Sequence, residues 1–363
     1  MKKTAVVPVL LAGAALLLSA CGAAPDATSD GSDGNTTDTA GGDFLACMIS
    51  DAGGFNDKSF NQSGYEGLQR AGSELGVKTS QAESKDASDF GPNLEAMQAQ
   101  NCSLTITVGY ILAEDTKAAA EANPQSHYAI IDDDSINADN VKPLVFKTSD
   151  ASYLAGYLAA GYTKSGIVAT YGGLQLPAVT IFMDGFADGV AAYNKDNNTT
   201  VKVLGWDKAA QNGSFAGGFD DQSVGKNTTQ NFIDQGADVI MPVAGPVGLG
   251  TLAAVKDAGG DAVVIWVDAD GYVTNPQYSD IILTSVMKGI GEAVFDTIKE
   301  ASQGSFSSDL YIGTLANEGV GLAPYHDFDS KIPAELKAKI EQLKSDIIDG
   351  TLKVESPSDP KQS

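Results

Sequence analysis

The chain has 363 residues, of which 43% are hydrophobic and 19% charged, enough to bury a large core and to form roughly two domains. Its formal net charge of −24 argues against binding to nucleic acid or to an anionic membrane surface. The charge does not restrict what binds in a local pocket.

The N-terminus has the pattern of an export signal that is removed from the mature protein. Lys2 and Lys3 precede an apolar stretch, and the sequence LSAC follows it at 18–21. This tetrapeptide resembles a bacterial lipobox, in which the cysteine is lipidated and becomes the first mature residue. A plain secretory signal with a chance cysteine is the alternative. We expect a signal peptide at 1–20 and a lipid anchor at Cys21, on the extracytoplasmic face of a bacterial cell membrane.

The segment after Cys21 is predicted to be a flexible tether. Residues 21–43 are rich in Gly, Ser, Thr, Asp and Ala. No later segment approaches the roughly 20 apolar residues that span a bilayer. The mature protein is therefore expected to be anchored to the membrane rather than to span it.

The two remaining cysteines, Cys47 and Cys102, are expected in an oxidising compartment, where a disulfide is possible. Cys47 lies inside the first predicted strand, and Cys102 just precedes the strand at 104–108. If these strands are adjacent and parallel, the cysteines are offset by about three residues, or roughly 10 Å, which is too far to bridge easily. The sequence favours two buried free thiols, with a disulfide as the alternative.

From residue 44 onward, short β-rich runs alternate with longer helical stretches. The predicted strands lie at 44–50, 77–81, 104–108, 128–131, 144–146, 167–171, 201–206, 239–242, 262–267 and 281–284. The predicted helices lie at 58–72, 90–100, 114–122, 153–162, 179–193, 224–235, 248–258 and 289–302. This alternation predicts an α/β fold with parallel sheets that are covered by helices on both faces.

About ten strands in one sheet would be near the limit for a strongly twisted open sheet, so two sheets are expected. We place the crossings between them near 147–148 and 285–286. The tail is predicted to contain an amphipathic helix near 334–348 that packs on a lobe, and to be disordered beyond Val354. The expected organisation is lobe one at 44–147 and 287–323, lobe two at 148–286, and the tail at 324–363.

Residues 51–61 carry the densest polar and aromatic pattern of the chain. They follow the first predicted strand and lead into a helix, so they lie at the carboxyl end of a strand, where open α/β sheets bind ligands. Asp57 is a good N-cap candidate, which places Phe60 and Asn61 in the first helical turn, facing the crevice. This mixture suits a small ligand with a flat face and hydrogen-bonding edges.

Other predicted strands also end in polar or glycine-rich segments, and with two facing lobes these ends line one cleft. The aspartates at 132–134 do not have the spacing of a calcium loop, so a solvated loop is preferred there over a cation site. The strand-end segments are 109–110, 132–134, 172–173, 244–245 and 268–270.

Two phenylalanines and the shortage of arginine suggest the kind of ligand. Phe60 and Phe219 fall in opposite predicted lobes, and each is flanked by polar residues. Each ring either packs its own helix or, together with the other, encloses a planar base. Arg70 is the only arginine, and carboxylate or phosphate ligands are usually gripped by arginine. A neutral, hydroxyl-rich ligand is therefore favoured.

The sequence offers little support for catalysis. His127 and His326 are the only histidines, and a structural or solvated role is favoured for each over that of a general base. The chain lacks the phosphate-loop pattern and the Gly-x-Ser-x-Gly elbow. We expect a binding protein without cofactor or metal rather than an enzyme.

Several short motifs occur between residues 47 and 323, and together, in this order, they are highly specific. They are Asp51, DKSFN at 57–61, YLAG at 153–156, GGFDD at 217–221, GK at 225–226, DQGADVI at 234–240, VAG at 243–245, GLG at 248–250, VDAD at 267–270, LTSV at 283–286 and Lys288. By these motifs the chain resembles the basic membrane protein (BMP) family of lipoproteins, the substrate-binding subunits of ABC importers typified by purine nucleoside receptor A.

The resemblance implies a fold and a function. The fold is of the periplasmic-binding-protein type I kind, with two Rossmann-like lobes, a ligand cleft between them and three hinge crossovers. The function implied is to close over a nucleoside, a purine nucleoside in particular, and to deliver it to an ABC permease in the membrane. We expect a monomer.

The resemblance also implies roles for individual residues. Phe60 and Phe219 are expected to stack on the purine, while Asp51 and Asn61 hydrogen-bond to the edge of the base. A carboxylate, an amide and two π-faces form a plausible nucleoside site.

The resemblance assigns two more residues to the sugar and matches a further two. Asp268 is expected to accept from the ribose hydroxyls, and Lys288 to help hold the sugar. Asp132 and Gly245 match family positions less closely.

Two departures from the family pattern leave alternatives open. Phe215 lies just before Phe219, so the second stacking ring is either of these two. Asp270 follows Asp268 closely, so the division of roles between these carboxylates is open. Two other functions are also considered: a binding protein or sensor for another neutral ligand, such as a sugar or autoinducer, and a surface nucleoside hydrolase.

Overall fold

The computed structural model describes residues 43–361, which form two mostly parallel β-sheets with helices packed against them. The expected signal peptide at 1–20, the expected lipidation site Cys21 and nearly all of the expected tether at 21–43 lie outside the described residues.

The strands are, in chain order, β1 (Leu45–Ile49), β2 (Lys78–Ala82), β3 (Leu104–Val108), β4 (His127–Ile131), β5 (Val141–Phe146), β6 (Ile167–Gly172), β7 (Lys202–Leu204), β8 (Trp206–Asp207), β9 (Asn212–Gly213), β10 (Val239–Val243), β11 (Val263–Asp268), β12 (Ile282–Lys288), β13 (Tyr311–Gly313) and β14 (Val320–Leu322). The helices are α1 (Phe60–Leu75), α2 (Phe90–Ala99), α3 (Ala113–Ala122), α4 (Thr148–Tyr162), α5 (Pro177–Asn197), α6 (Gln222–Asp234), α7 (Gly248–Ala258), α8 (Gly271–Thr274), α9 (Ile290–Ser302) and α10 (Ala334–Ile348).

Both large sheets contain six strands, and their topologies match. The first has the order β13-β5-β4-β3-β1-β2 and the second the order β14-β12-β11-β10-β6-β7. Within these two sheets the strand pairs are parallel except for β12 with β14, which is antiparallel, as is the separate pair β8 and β9. The prediction of an α/β fold with parallel sheets is confirmed. Because parallel strands end at the same edge, the segments that follow β1, β3 and β4 lie together, as do those that follow β6, β10 and β11.

The central strands are short, apolar and β-branched, as expected for strands covered on both faces. The strand β3, with the sequence LTITV, is buried at every position. Its Thr107 hydroxyl is hydrogen-bonded to Thr116 on α3 at 2.9 Å, so the polar group is satisfied although it is buried.

The chain crosses between the sheets at three places: between β5 and β6, between β12 and β13, and between β13 and β14. The expected return near 285–286 is wrong, because β12 stays in the second sheet as far as Lys288. The polar residues at the expected crossing are satisfied inside the sheet: Thr284 donates to the carbonyl of Ala323, and Ser285 accepts from the amide of Gly271. The strand β14, which was expected in lobe one, pairs with β12.

The helices α4 and α5 pack against each other unusually closely, and glycine makes this possible. A Cβ atom on Gly156 would lie 2.0 Å from the carbonyl oxygen of Phe186, and one on Gly189 would lie 2.0 Å from that of Tyr153. This contact places the first turns of α5 at the edge of the cleft, with Phe182 in the core.

Cys47 and Cys102 form a disulfide, with their Cα atoms 5.9 Å apart. The prediction of two free thiols is therefore wrong. It assumed that Cys102 continues the extended direction of β3, whereas Cys102 lies in the connection from α2 and its amide donates to the carbonyl of Met97 at 3.4 Å. That connection brings Cys102 over the sheet face that Cys47 shares with Phe90.

The segment after α10 is held on the protein surface, and the prediction of disorder is wrong for 355–361. Ser356 Oγ donates to Asp184 on α5 at 2.5 Å, and Ser149 on α4 donates to Asp359 at 2.6 Å. The helix α10 packs against α4, consistent with the expectation that the tail packs on a lobe.

Candidate ligand-binding site

A cavity lies where the carboxyl ends of both sheets meet. The space bordered by its lining residues is about 590 Å³, including the part open to solvent. All eight residues expected to bind ligand line this one cavity: Asp51, Phe60, Asn61, Asp132, Phe219, Gly245, Asp268 and Lys288.

Asp57 organises the turn that leads from β1 into α1. Its carboxylate accepts hydrogen bonds from the backbone amides of Ser59 at 2.9 Å, Asn61 at 2.7 Å and Gln62 at 3.0 Å. Helix α1 starts at Phe60, slightly later than expected, and Asp57 satisfies amides of its first turn as a capping residue does. Phe60 and Asn61 are thereby held at the cavity wall.

Asp51 and Asn61 form a tight polar pair. The Asn61 side-chain amide donates to Asp51 Oδ1 at 2.7 Å and to Asp57 Oδ2 at 3.0 Å, while its oxygen accepts from the Asp51 amide at 3.2 Å. Asp51 Oδ1 also accepts from the amide of Gly53. Within residues 43–361, Asp51 Oδ2 has no hydrogen-bond partner, so it is the free acceptor of the pair.

The buried acids of this turn titrate above their ordinary range. Burial raises the pKa of Asp51 to about 6, against the opposing effect of the Gly53 amide and the Asn61 side chain. The negative charges of Asp57 and Asp268 raise it further. Burial also raises the pKa of Asp57, and the backbone amides that it accepts oppose the rise.

Lys288 lies between two carboxylates that come from different sheets. Its Nζ is 2.5 Å from Asp132 Oδ2 and 3.7 Å from Asp268 Oδ1, and its side chain is only 3% exposed. Burial raises the pKa of both aspartates, and the lysine charge opposes the rise. The ammonium group also lies 5.0 Å from the ring centre of Phe60 and 5.2 Å from that of Phe182.

The two possible second rings have different surroundings. Phe219 lines the cavity, whereas Phe215 is absent from its lining and packs edge-on against Trp206 with ring centres 6.0 Å apart. Asp268 and Asp270 also differ: Asp268 lines the cavity, while Asp270 caps α8 through the Tyr272 amide and pairs with His326 at 2.8 Å.

The turn before α1 also contacts the second sheet directly. Ser59 Oγ donates to Asp268 Oδ2 at 2.9 Å. The carbonyl of Lys58 accepts from Trp266 Nε1 at 3.2 Å and from Thr274 Oγ1 at 3.0 Å. We call these contacts the cross-cleft latch.

Sequence reasoning missed several residues of the cavity wall. Asp57 was identified only as a helix cap, although it lines the cavity as well. The strand ends at 109–110 and 172–173 indicated the part of the fold that lies near the cavity. The apolar residues of the cavity wall, however, have no local sequence pattern that distinguishes them from core residues. These apolar residues are Ile111, Leu176, Ala178, Val179, Phe182, Val243 and Pro246.

Other charged residues considered from the sequence lie away from the cavity wall. Arg70 packs over the ring of Phe295 and pairs with Glu292 at 2.7 Å. His127 is stacked on Phe306 with ring centres 4.0 Å apart. The carboxylate of Asp133 accepts a hydrogen bond from the hydroxyl of Ser135 at 2.8 Å.

A family model described as "ABC transporter substrate-binding protein PnrA-like" matches residues 44–357. The chain belongs to the Bmp family of ABC transporter substrate-binding proteins. The match covers both sheets and the first part of the segment that follows α10.

Individual relatives agree with this family. A Lactococcus lactis protein named "ABC transporter nucleoside-binding protein BmpA" is 30% identical over 333 residues, which is 86% of this chain and 90% of that protein. A Listeria innocua protein named "CD4+ T-cell-stimulating antigen" is 31% identical and covers 95% of this chain and 96% of its own length.

Solved structures support the same fold. An ABC transporter solute-binding protein from Aeropyrum pernix K1 is similar with a TM-score of 0.79 and 26% identity, covering 87% of this chain and 94% of that one. Within residues 43–361, no helix combines the length and the apolar character that crossing a membrane requires.

Proposed function

We propose that this Bmp-family protein binds a purine nucleoside in the cavity between its two sheets and delivers it to an ABC permease. The observation that carries the proposal is the pair of half-buried rings, Phe60 at the start of α1 and Phe219 just before α6, which line the same cavity. Stacking on two aromatic faces suits a planar base, and every purine offers such a face.

The polar groups beside the rings suit the edge of a base. Asp51 Oδ2 is an unused acceptor at the cavity wall, and Asn61 holds the other carboxylate oxygen in place. Purines carry N–H donors on their edges that such an oxygen accepts. A buried site built to receive a donor discriminates strongly against ligands that lack it.

The lysine end of the cavity suits a ribose. One end of the cavity offers two carboxylates and one ammonium group, from Asp132, Asp268 and Lys288. Adjacent hydroxyl groups of a ribose can donate hydrogen bonds to the carboxylates and accept them from the ammonium group. Four carboxylates and one ammonium line the cavity in all, so an anionic phosphate is disfavoured and a nucleoside is preferred over a nucleotide.

We also propose that the protein works as a lipid-anchored monomer outside the cell membrane, with Cys21 as the anchor. Replacing Cys21 with alanine is expected to release the protein from the membrane fraction, and sedimentation of the released protein is expected to give the mass of one chain. Retention of the Cys21→Ala protein in the membrane fraction would refute the anchor.

Calorimetry tests the ligand. Protein that has been unfolded, stripped of ligand and refolded is titrated with adenosine, guanosine, inosine, uridine, cytidine and ribose. The expected result is binding of purine nucleosides in preference to pyrimidine nucleosides, and weak or no binding of ribose. Binding of ribose without a response to any nucleoside would overturn the proposal in favour of a sugar-binding protein.

A further inference from the structure

The ring of Phe219 lies against the backbone of Gly173, and no side chain separates them. A Cβ atom built on Gly173 would lie 2.3 Å from Phe219 Cε1 and 2.4 Å from Phe219 Cδ1. Carbon atoms in contact are normally about 3.5–4.0 Å apart, so any residue other than glycine would overlap the ring.

The backbone around Gly173 is held on two sides. The amide of Gly173 donates to the carbonyl of Val243 at the end of β10, and its carbonyl accepts from the amide of Gly217, both at 2.9 Å. The preceding residue, Gly172, pairs in the same way with Ser214 and Ala216. The segment that carries Phe219 is therefore laid along the end of β6, and Gly173 has little freedom to move away from the ring.

Phe60 has no comparably tight glycine contact. The nearest such residue is Gly109, and a Cβ atom there would lie 3.5 Å from Phe60 Cε1, which is ordinary van der Waals contact. On the other side of Phe219, a Cβ atom on Gly245 would lie 3.9 Å from the ring. Of the two rings that line the cavity, Phe219 is therefore the one that a side chain on a neighbouring glycine would overlap.

We propose that Gly173 is a positioning residue for the ligand, because the absence of a side chain there sets the depth at which Phe219 lies and so the width of the slot for a planar base. This inference rests on the proposed function. A methyl group at this position must displace the ring by about 1 Å or more. Since Phe219 lines the cavity, a ring displaced by the methyl group moves into the cavity. The slot narrows, while the end of the cavity at Lys288 is left unchanged.

Gly173→Ala tests the proposal in a double-mutant cycle with Phe219→Ala. The affinity for adenosine is measured in the wild type, in each single variant and in the double variant. We expect Gly173→Ala to weaken binding about tenfold or more, the size of an aromatic stacking contribution. When Phe219 is already replaced by alanine, Gly173→Ala is expected to cause a much smaller further loss, because the contact of the new methyl group with the carbonyl oxygen of Gly218 at 3.0 Å remains. An equal loss in both backgrounds, or no loss in either, overturns the proposal.

Gly321→Ala is the matched control, since a Cβ atom at that strand position meets no atom within 4 Å. Its affinity and melting temperature are expected to equal those of the wild type. If Gly173→Ala alone does not fold, Gly173→Ala combined with Phe219→Leu makes room beside the new methyl group. Recovery of folding in that pair supports the overlap with Phe219, and failure to recover contradicts it.

Crystal structures of the ligand-free wild type and of Gly173→Ala separate this inference from the proposed function. A displaced Phe219 ring in the variant supports the inference even if no nucleoside binds to the wild type. In that case the proposal of a nucleoside ligand is refuted and the inference about Gly173 stands. An undisplaced ring refutes the inference whatever the ligand is.

Discussion

Asp132 and Asp268 occupy equivalent positions in the two sheets, and both face Lys288. One follows β4 and the other ends β11, each of these being the third strand in its sheet order. Both have left-handed backbone conformations, with φ of 66° and 67°. Such angles are uncommon outside glycine, although aspartate tolerates them better than most residues. The two lobes therefore contribute matching carboxylates to one ammonium group.

Removing that ammonium group should destabilise the protein. Lys288→Met leaves two buried carboxylates without a counter-charge, and breaking a buried pair in this way costs about 3–5 kcal/mol. Burial already raises the pKa of Asp132 and Asp268, and without the lysine the rise is larger. The folded variant then binds more protons than the unfolded chain. Its loss in free energy of unfolding, relative to the wild type, should therefore become smaller as the pH falls from about 7 to 5.

Denaturant unfolding of this variant at both pH values gives the measurement. Lys256→Met is the control, since Lys256 pairs with Asp280 on the surface, where such pairs contribute about 0–1 kcal/mol. A similar small loss in both variants would show that the buried cluster does not depend on its lysine.

The two cavity rings should each contribute to nucleoside affinity. Phe60→Ala and Phe219→Ala are each expected to weaken binding by about 1–3 kcal/mol, because each removes one stacking face. Phe306→Ala, which removes a ring stacked on His127 outside the cavity, is the control and should leave affinity unchanged. Phe215→Ala should lower the melting temperature more than the affinity, since Phe215 packs against Trp206. A larger affinity loss for Phe215→Ala than for Phe219→Ala would reverse the assignment of the second ring.

Nucleoside affinity should fall as the solution becomes acidic. The pKa of Asp51 is raised to about 6, and an N–H donor on the base requires the carboxylate form. Affinity should therefore be constant above this value and decrease below it, by up to about tenfold per pH unit, with proton release on binding near pH 6. Titrations in buffers of different ionisation enthalpy measure the released protons.

Asp51→Asn is the control for this pH dependence. The variant should bind more weakly and lose the step near pH 6. An unchanged step in Asp51→Asn would assign the titration to another group.

The cross-cleft latch should slow the loss of ligand. Thr274→Val keeps the shape of the side chain and removes the hydrogen bond to the carbonyl of Lys58 across the cleft, together with the one that Thr274 accepts from the neighbouring Asn275 side chain. The expected loss in affinity is about 0.5–1.5 kcal/mol, the net value of one hydrogen bond, and it should appear in the dissociation rate. Thr297→Val removes a hydrogen bond within α9 and is the control, with no expected change in rate. Equal dissociation rates for the two variants would rule out a role of the latch in holding the cleft closed.

The disulfide should stabilise the fold substantially. Cys47 and Cys102 are separated by 55 residues in sequence, and closing a loop of this length contributes about 4 kcal/mol in the chain-entropy description. The double variant Cys47→Ser/Cys102→Ser should lose stability of that order in denaturant unfolding. Wild-type protein unfolded in reducing agent should show the same loss, and no difference between oxidised and reduced wild type would contradict the bridge.

Sequence patterns located the strands of both sheets because strands covered on both faces are short apolar runs separated by turns and helices. They did not locate β13 and β14, which are only three residues long and owe their pairing to β5 and β12 rather than to their own composition. The course of the chain around Cys102 was also missed, because a helix-to-strand connection has no periodicity from which its direction can be calculated.

The eight candidate residues share one cavity, whereas the predicted boundaries of the lobes do not match the sheets. Motifs such as the one at 57–61 are local, so their residue types and order are visible in the sequence. Apolar wall residues such as Val179 and Phe182 were missed, because a helix face towards a cavity and one towards the core have the same composition. Gly173 was visible only as part of a glycine pair, and its contact with Phe219 joins residues far apart in the chain.

By itself, the sequence determined the fold class, the family resemblance and the identity of eight candidate residues, because these depend on local pattern and on the order of short motifs. Only the tertiary structure decided which phenylalanine lies at the cavity, that Asp268 rather than Asp270 faces it, and that Asp132 and Asp268 face one lysine. These are contacts between segments distant in sequence, and they are established by packing the two sheets together, which no local pattern records.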